Sequence, residues 1–445
     1  MTTTREPQGV PDQPHAASPT GAPIPAPVAL EKAVVASWKA PIAYLVFTVL
    51  AIVLFVGFAS DGDAQFLLSP TGDAWQIPPI TVSGRLTGWI VAVVLLVITV
   101  VAAGLVMVRR KVPLWLAAVY GLVILIGFLA WAGAAANLHT IPVAGLLYGS
   151  LSLAIPLIFG SLAGVIGERV GVVNIAIEGQ LLFGAFAAAI VATATGSPWA
   201  GLVAAAVAGV LVAFILAVFS IKYFVDQIIV GVVVNVLISG LTGFLYSEVL
   251  TSNASRLNSP PPLPKWPIPF LQDIPLIGPM FFRQTALVYL GYLAVFLVWW
   301  GLYRTRWGLR LRAVGEHPTA ADTVGINVTR SRFWNVAMAG AIAGLGGAFY
   351  TIGSGIGFNK DMTAGAGYIA LAAVIFGKWH PVRAALAGLL FGFTTNLQST
   401  LSIMGSPVPS QFMLMLPYVA TVLAVAGFVG RSRGPAASGK PYMKS

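Results

Sequence analysis

Glu178 is a carboxylate set well inside an apolar run, in the stretch GERVGVVNIAIEGQLLFGAF that covers 167–186, with Glu168 and Arg169 at its edge. A carboxylate in hydrocarbon is costly to hold, so by default it marks an ion path, a proton relay or a binding site; the alternative is a protonated or paired packing residue. Asn174 precedes it by four residues, a spacing that on a helix puts both side chains on one face. Asn235 and Asn396 fall inside other apolar runs, where an amide needs a partner or a water-filled cavity. All four are candidates for lining a translocation path, and each has a second reading as a tie between helices.

Covalent and metal chemistry finds little support. None of the 445 residues is cysteine, which removes disulfides, thiolate metal sites and cysteine nucleophiles. His15, His139, His317 and His380 are scattered without metal-ligand spacing, and no nucleophile, base and orienter group together. The expectation is therefore a protein that is not an enzyme and needs no cofactor and no metal. The nearest approach to a phosphate-binding loop, Gly434 to Lys440, has Pro441 where a Ser or Thr would hold magnesium, so energy has to come from a partner ATPase or an ion gradient. An ion-coupled secondary transporter, the alternative class, needs titratable relays in the membrane. Beyond Glu178 the chain offers Asp226 at an inner edge and Glu248 and Asp361 near outer edges, which disfavours it.

The elements that must position these residues are membrane helices. With 58% hydrophobic and 9% charged residues and a mean hydropathy of +0.87, the composition defines an all-α polytopic membrane protein. Apolar runs at 41–58, 86–108, 113–135, 143–166, 172–195, 198–220, 226–250, 285–303, 333–352, 365–377, 382–402 and 411–430 predict twelve transmembrane helices, or ten to eleven if short segments are re-entrant. The run 365–377 is short, yet removing it would send Arg431, Arg433, Lys440 and Lys444 to the outer side, so it is read as a short or tilted span. Arg304, Arg306, Arg310, Arg312, Arg330 and Arg332 place the segment 304–332 in the cytoplasm; alternation then puts both termini there and Asp61, Asp63 and Asp73 outside. The same bias accounts for the net charge of +11 without any nucleic-acid partner. Residues 1–40, rich in Pro, Ala, Thr and Ser, read as a disordered cytoplasmic tail, and 41–135 as three N-terminal transmembrane helices of unassigned role. A core follows over 143–430, with a proline-stiffened external loop at 251–284, and 431–445 is a cytoplasmic tail.

Small and polar residues recur four apart in two runs: Gln227, Gly231, Asn235, Ser239 and Gly243, and Ala384, Gly388, Gly392, Asn396 and Thr400. Such stripes face protein rather than lipid, and the pairs Gly160 with Gly164 and Gly340 with Gly344 let helix backbones approach closely. Within the arginine-rich segment, Pro318 breaks the chain after Glu316 and His317, and a short helical turn through Thr319 to Asp322 is expected to end at Gly325.

GERVGVVNIAIEGQLLFGAF resembles the signature of membrane subunits of bacterial ABC importers of the branched-chain amino acid and simple-sugar class. LRAVGEHPTAADTVGINVTRSRFWNVAMAGAIAGLGGAFY is similar to their cytoplasmic coupling loop and the glycine-rich helix after it, with Glu316, Ala320, Ala321 and Gly325 in the spacing E-x-x-x-A-A-x-x-x-G. Within the class the chain is most similar to nucleoside permeases, through QDIPLIGPMFF and the ending GFVGRSRGPAASGKPY. The resemblance covers roughly 143–442 and implies an importer of nucleosides in the bacterial inner membrane, with branched-chain amino acids or simple sugars as the alternative cargo. It also implies cytoplasmic ATP-binding subunits, a second permease subunit forming a heterodimer, and an extracytoplasmic substrate-binding protein. Gly315, Glu316, Ala320, Ala321 and Gly325 would then couple the permease to the ATPase, with small Ala320 and Ala321 facing it.

Overall fold

The computed structural model describes residues 37–69, 75–409, 411–413, 415, 418 and 434–443. Three helices come first: α1 (Lys39–Ile52, continued by a π turn to Gly57), α2 (Gly84–Met107) and α3 (Leu114–Ala134). The core then holds α4 (Val143–Arg169), α5 (Ile177–Thr195), α6 (Pro198–Ala217) and α7 (Gln227–Leu245). Beyond the one-turn α8 (Ala254–Leu257) come α9 (Ala286–Arg304) and the short α10 (Arg306–Glu316) and α11 (Pro318–Thr323). The series closes with α12 (Val328–Gly347), α13 (Ala366–Phe376) and α14 (Pro381–Met404).

Local chemistry sets the helix ends. Proline opens α6, α11 and α14, where its missing N–H has no helical acceptor to lose. Asp226, Thr305 and Asn327 cap α7, α10 and α12 by accepting from free first-turn amides. Gly196 and Gly405 adopt left-handed conformations that stop α5 and α14.

Burial ranks the helices. In its most apolar window α4 is 83% buried inside the chain and α1 only 28%, so α4 is the centre of the bundle and α1 lies at its rim. The stripe on α14 runs along α4: a side chain on Gly392 would strike Ala154 and Ser150, and one on Gly388 would meet Ile158. Gly340 and Gly344 of α12 lie against the backbone of α6 at Gly209 and Ala205, while Gly160 and Gly164 of α4 receive Ala370 and Val374 of α13. The small-residue pairs therefore serve close helix crossings, as their spacing suggests. A second apolar cluster joins α1–α3 to Leu397, Leu401 and Met404 of α14. Inside it Thr48 Oγ1 bonds Thr99 Oγ1 at 3.0 Å and Tyr120 OH at 2.9 Å, so these buried hydroxyls satisfy one another.

Three expectations need correction or restriction. Among the described residues, nine helices are long and apolar enough to cross a membrane, α1–α7, α9 and α12. Helix α14 has 24 residues, but Arg383 and the sequence TTNLQSTLS dilute its apolar character. Helix α13 has 11 residues, about 16 Å at 1.5 Å per residue, roughly half of a hydrocarbon layer about 30 Å thick. It follows an irregular segment, 351–365, and by itself is too short for a span. The expected twelfth helix at 411–430, most of the tail 1–40, Asp73, Arg431, Arg433 and Lys444 lie wholly or largely outside the described residues.

The chain is also not purely helical. Strands β1 (Asp63–Leu67), β2 (Ile80–Ser83) and β3 (Thr140–Pro142) form a sheet in the order β2-β1-β3, antiparallel then parallel. In the loop 251–284 and just beyond it, β4 (Lys265–Pro267) pairs antiparallel with β5 (Arg283–Thr285). Pairing satisfies backbone groups where chains leave the helices, and such three- to five-residue strands carry no hydrophobic alternation long enough to read.

Candidate functional site

Two irregular segments, 172–176 between α4 and α5 and 351–365 before α13, meet near the start of α5. After α4, Gly171 at φ +93° turns the chain, and 172–176 runs without helix before α5 begins at Ile177. Side chains claim the backbone there: Val173 N–H donates to Gln227 Oε1 at 2.8 Å, and the Ile175 carbonyl accepts from Asn235 Nδ2 at 2.9 Å. Asn174 therefore stands outside α5, and the shared helix face expected with Glu178 does not exist. It is fully buried and bonds Gln180 through both amide ends at 3.0 and 3.3 Å.

Glu178 sits in the first turn of α5 and reaches the start of α13. Its Oε1 accepts from Thr363 Oγ1 at 2.6 Å and Gly365 N–H at 2.9 Å, and its Oε2 accepts from Gly367 N–H at 2.6 Å. The carboxylate thus supplies acceptors at the exposed amide end of α13 while belonging to the first turn of α5, where negative charge is favoured twice over. Gly367 has to be glycine for this approach, because a Cβ would press on the Glu178 backbone. The segment leading in carries Asp361 at φ +50°, Ala364 at +46° and Gly365 at +83°, so non-glycine residues are held in the left-handed region beside the carboxylate. Irregular backbone beside apolar helices persists where it is buried in protein or lines a cavity.

The other two amides act as clamps. Asn235 Oδ1 accepts from Gly179 N–H at 2.8 Å, and its Nδ2 also donates to Tyr368 OH at 3.1 Å, tying α7 to α5 and α13. Asn396 Nδ2 donates to the Leu146 carbonyl at 2.6 Å and so pins α14 to α4, away from Glu178. Between α7 and 351–365 lies an exposed polar face of which the sequence reading named Ser239 and Asp361 but not Tyr246 or Asn359: Ser239 Oγ donates to Asp361 Oδ1 at 2.5 Å and Tyr246 OH to Asn359 Oδ1 at 3.1 Å. Lys360 Nζ lies 5.9 Å from the Tyr246 ring. The run Ala364-Gly365-Ala366-Gly367, directly before an apolar stretch, was the available signal for a break here.

The arginine-rich segment folds as two short helices. The turn read at Thr319 to Asp322 is α11, and it closes with a Schellman motif: Gly325 at φ +85°, with Ile326 N–H bonding the Ala321 carbonyl at 3.0 Å and Gly325 N–H the Asp322 carbonyl at 2.9 Å. Ala320 is exposed, whereas Ala321 is 3% exposed and part of the protein's own apolar core. Of the two alanines expected to face a partner, Ala321 faces inward, since the motif folds Ile326 back over that side. Gly315 is likewise buried, its Cα against the Arg169 carbonyl.

The C-terminal stretch 434–443 straps this region. Ala437 N–H donates to the Gly315 carbonyl at 2.9 Å, Ala436 N–H to Glu316 Oε2 at 3.2 Å, and Arg332 Nη1 to the Lys440 carbonyl at 2.9 Å. Arg169 Nε, donating to the Trp379 carbonyl at 3.0 Å, brings the ends of α4 and α13 to the same end of the bundle. The opposite end carries the three-stranded sheet and the bond from Leu138 N–H to the Met404 carbonyl at 3.1 Å.

With nine helices among the described residues long and apolar enough to cross a membrane, the chain is a polytopic membrane protein. Residues 146–425 match the family described as branched-chain amino acid transport system / permease component, and the chain belongs to it. Helices α1–α3 precede the matched region. The chain is 42% identical over 310 residues to the guanosine ABC transporter permease protein NupQ of Bacillus subtilis, covering 66% of this chain and 95% of that one. It is 39% identical over 305 residues to the nucleoside ABC transporter permease protein NupC of Lactococcus lactis, covering 65% and 94%. A putative glucose ABC transporter permease of Haloferax volcanii is 35% identical over 285 residues, covering 63% and 85%. No solved structure matches the chain.

Proposed function

We propose that this chain is the translocating subunit of an ATP-binding-cassette importer for nucleosides in the bacterial cytoplasmic membrane. The observation that carries the reading is similarity, at 39–42% identity, to guanosine and nucleoside permeases over 94–95% of their own length. The chain works with cytoplasmic ATP-binding subunits and an external substrate-binding protein, and pairs with a second, different permease subunit. Both termini lie on the side of α10 and α11. The strap at 434–443 and the start of α1 support this, since both belong to the end of the bundle away from the sheet.

Glu178 orders the gate rather than meeting the substrate, because three donors from 363–367 occupy its oxygens. Asn174, Asn235 and Asn396 stand behind the path and hold its wall. The exposed hydroxyl, amide and carboxylate groups at Ser239, Tyr246, Asn359 and Asp361 are available to a neutral, hydroxyl-rich solute between two permeases. At the coupling element Glu316, Ala320 and Gly325 face outward, supported from within by Gly315 and Ala321.

The test is reconstitution of the complete transporter in proteoliposomes with labelled uridine. Uptake is expected to require ATP and the binding protein, to survive collapse of ion gradients, and to be competed by guanosine but not by leucine or ribose. Gradient-driven uptake without ATP, or competition by leucine or ribose alone, would contradict it.

A further inference from the structure

The turn between α6 and α7 and the first turns of α12 line an open pocket of about 600 Å³. One wall is the π turn Val218–Lys222 that ends α6, after which Phe224 sits at φ +55°, a left-handed conformation for a bulky residue. The facing wall is Asn327, Arg330, Phe333 and Trp334. Lys222 and Arg330 are the charged residues of the lining, both exposed. Asp226, close in sequence, has Oδ1 turned away to the amides of Ile228 and Ile229 at 2.8 and 3.2 Å. The remaining walls are apolar, with Ile221, Phe224, Phe333 and Trp334 foremost, and Trp334 and Phe224 are 58% and 46% exposed. That surface continues along the outer side of α6 through Phe219, Leu211 and Val207, all exposed. The pocket lies where α11 leads into α12, beside the arginine-rich segment at the ends of α6 and α12.

Two exposed cations with no ion pair among the described residues, Lys222 also lying 5.6 Å from the Tyr223 ring centroid, above an aromatic slot that opens onto the exposed apolar side of α6 match an amphiphile with an anionic head. We propose that this pocket binds an anionic phospholipid, its phosphate between Lys222 and Arg330 and its first acyl carbons against Phe333 and Trp334. A free phosphate would meet the cations but leave the apolar walls uncovered, whereas a lipid occupies both. The lining shares no residue with the cluster around Glu178.

The test uses the full chain in nanodiscs of mixed phosphatidylglycerol and phosphatidylcholine, with retained lipid counted by native mass spectrometry. The wild type is expected to retain phosphatidylglycerol preferentially. Each cation contributes about fivefold, so Lys222→Gln with Arg330→Gln should remove most of the preference, while Arg109→Gln with Arg110→Gln, which removes equal charge from outside the pocket, should not. Trp334→Ala should weaken retention of both lipids. A wild-type retention ratio near that of the bulk bilayer, equal retention by the Lys222/Arg330 variant, or displacement of the lipid by excess inorganic phosphate alone would each overturn the proposal; the first needs no variant.

Discussion

At the residue scale the decisive feature is the direction of the hydrogen bonds at Glu178. Thr363 Oγ1 and the amides of Gly365 and Gly367 all point hydrogen at its carboxylate. Glutamine keeps the size but places an NH2 group where one oxygen accepts, so two donors would meet. Glu178→Gln is therefore expected to cost about 1–3 kcal/mol, and Glu178→Ala, which strands all three donors, more than that. Thermal unfolding of the two variants in detergent checks this. A Gln variant as stable and as active as the parent would refute the acceptor role, and would instead fit the size-conserving tolerance that a packing anchor alone suggests. Substituting Asn396, which contacts α4 rather than the Glu178 cluster, should lower stability without altering substrate selectivity.

Elements carry the second set of expectations. The strap and α10–α11 form one unit, because the Ala437 N–H bonds the Gly315 carbonyl and the Ala436 N–H the Glu316 carboxylate, between segments more than a hundred residues apart, while the Arg332 side chain of α12 bonds the Lys440 carbonyl. Truncation after Arg433 should raise amide exchange across 313–326, measured by mass spectrometry, while leaving α4 protected; unchanged exchange would mean the strap does not hold the element. The two alanines of α11 should separate cleanly. Ala320→Trp adds bulk to an exposed position and is expected to leave thermal stability intact while abolishing copurification of the ATP-binding subunit. Ala321→Trp forces an indole into a packed core and should lose stability first, typically by 1–3 kcal/mol. If Ala320→Trp retains the partner and ATP-driven uptake, the docking face is elsewhere.

For the whole molecule the testable quantity is sidedness. The absence of native cysteine makes single-cysteine labelling clean. Ser252→Cys should react with a membrane-impermeant maleimide added outside intact cells, whereas Thr323→Cys and Met443→Cys should react only after permeabilisation. Labelling of Met443→Cys from outside would break the link between the strap and the coupling side.

Composition and the arginine-rich segment were enough to determine a polytopic helical protein and most of its spans, because apolar run length and charge placement are local properties written directly in the chain; of the two small-residue stripes, the one on α14 meets α4 at Gly388 and Gly392, whereas the one on α7 reaches open space at Gly243. The motifs around Glu178 and Glu316 carried the family. The gap at 353–364 already lay between two apolar runs; the break at 172–176 was not legible, since it arises when distant side chains, Gln227 and Asn235, claim backbone groups that would otherwise extend α5. The same holds for Ala321, whose small size suits either a docking face or a core, and for 434–443, which has no apolar period of its own. Only tertiary structure decides such cases, because the partner that satisfies each hydrogen bond or covers each methyl group comes from elsewhere in the sequence.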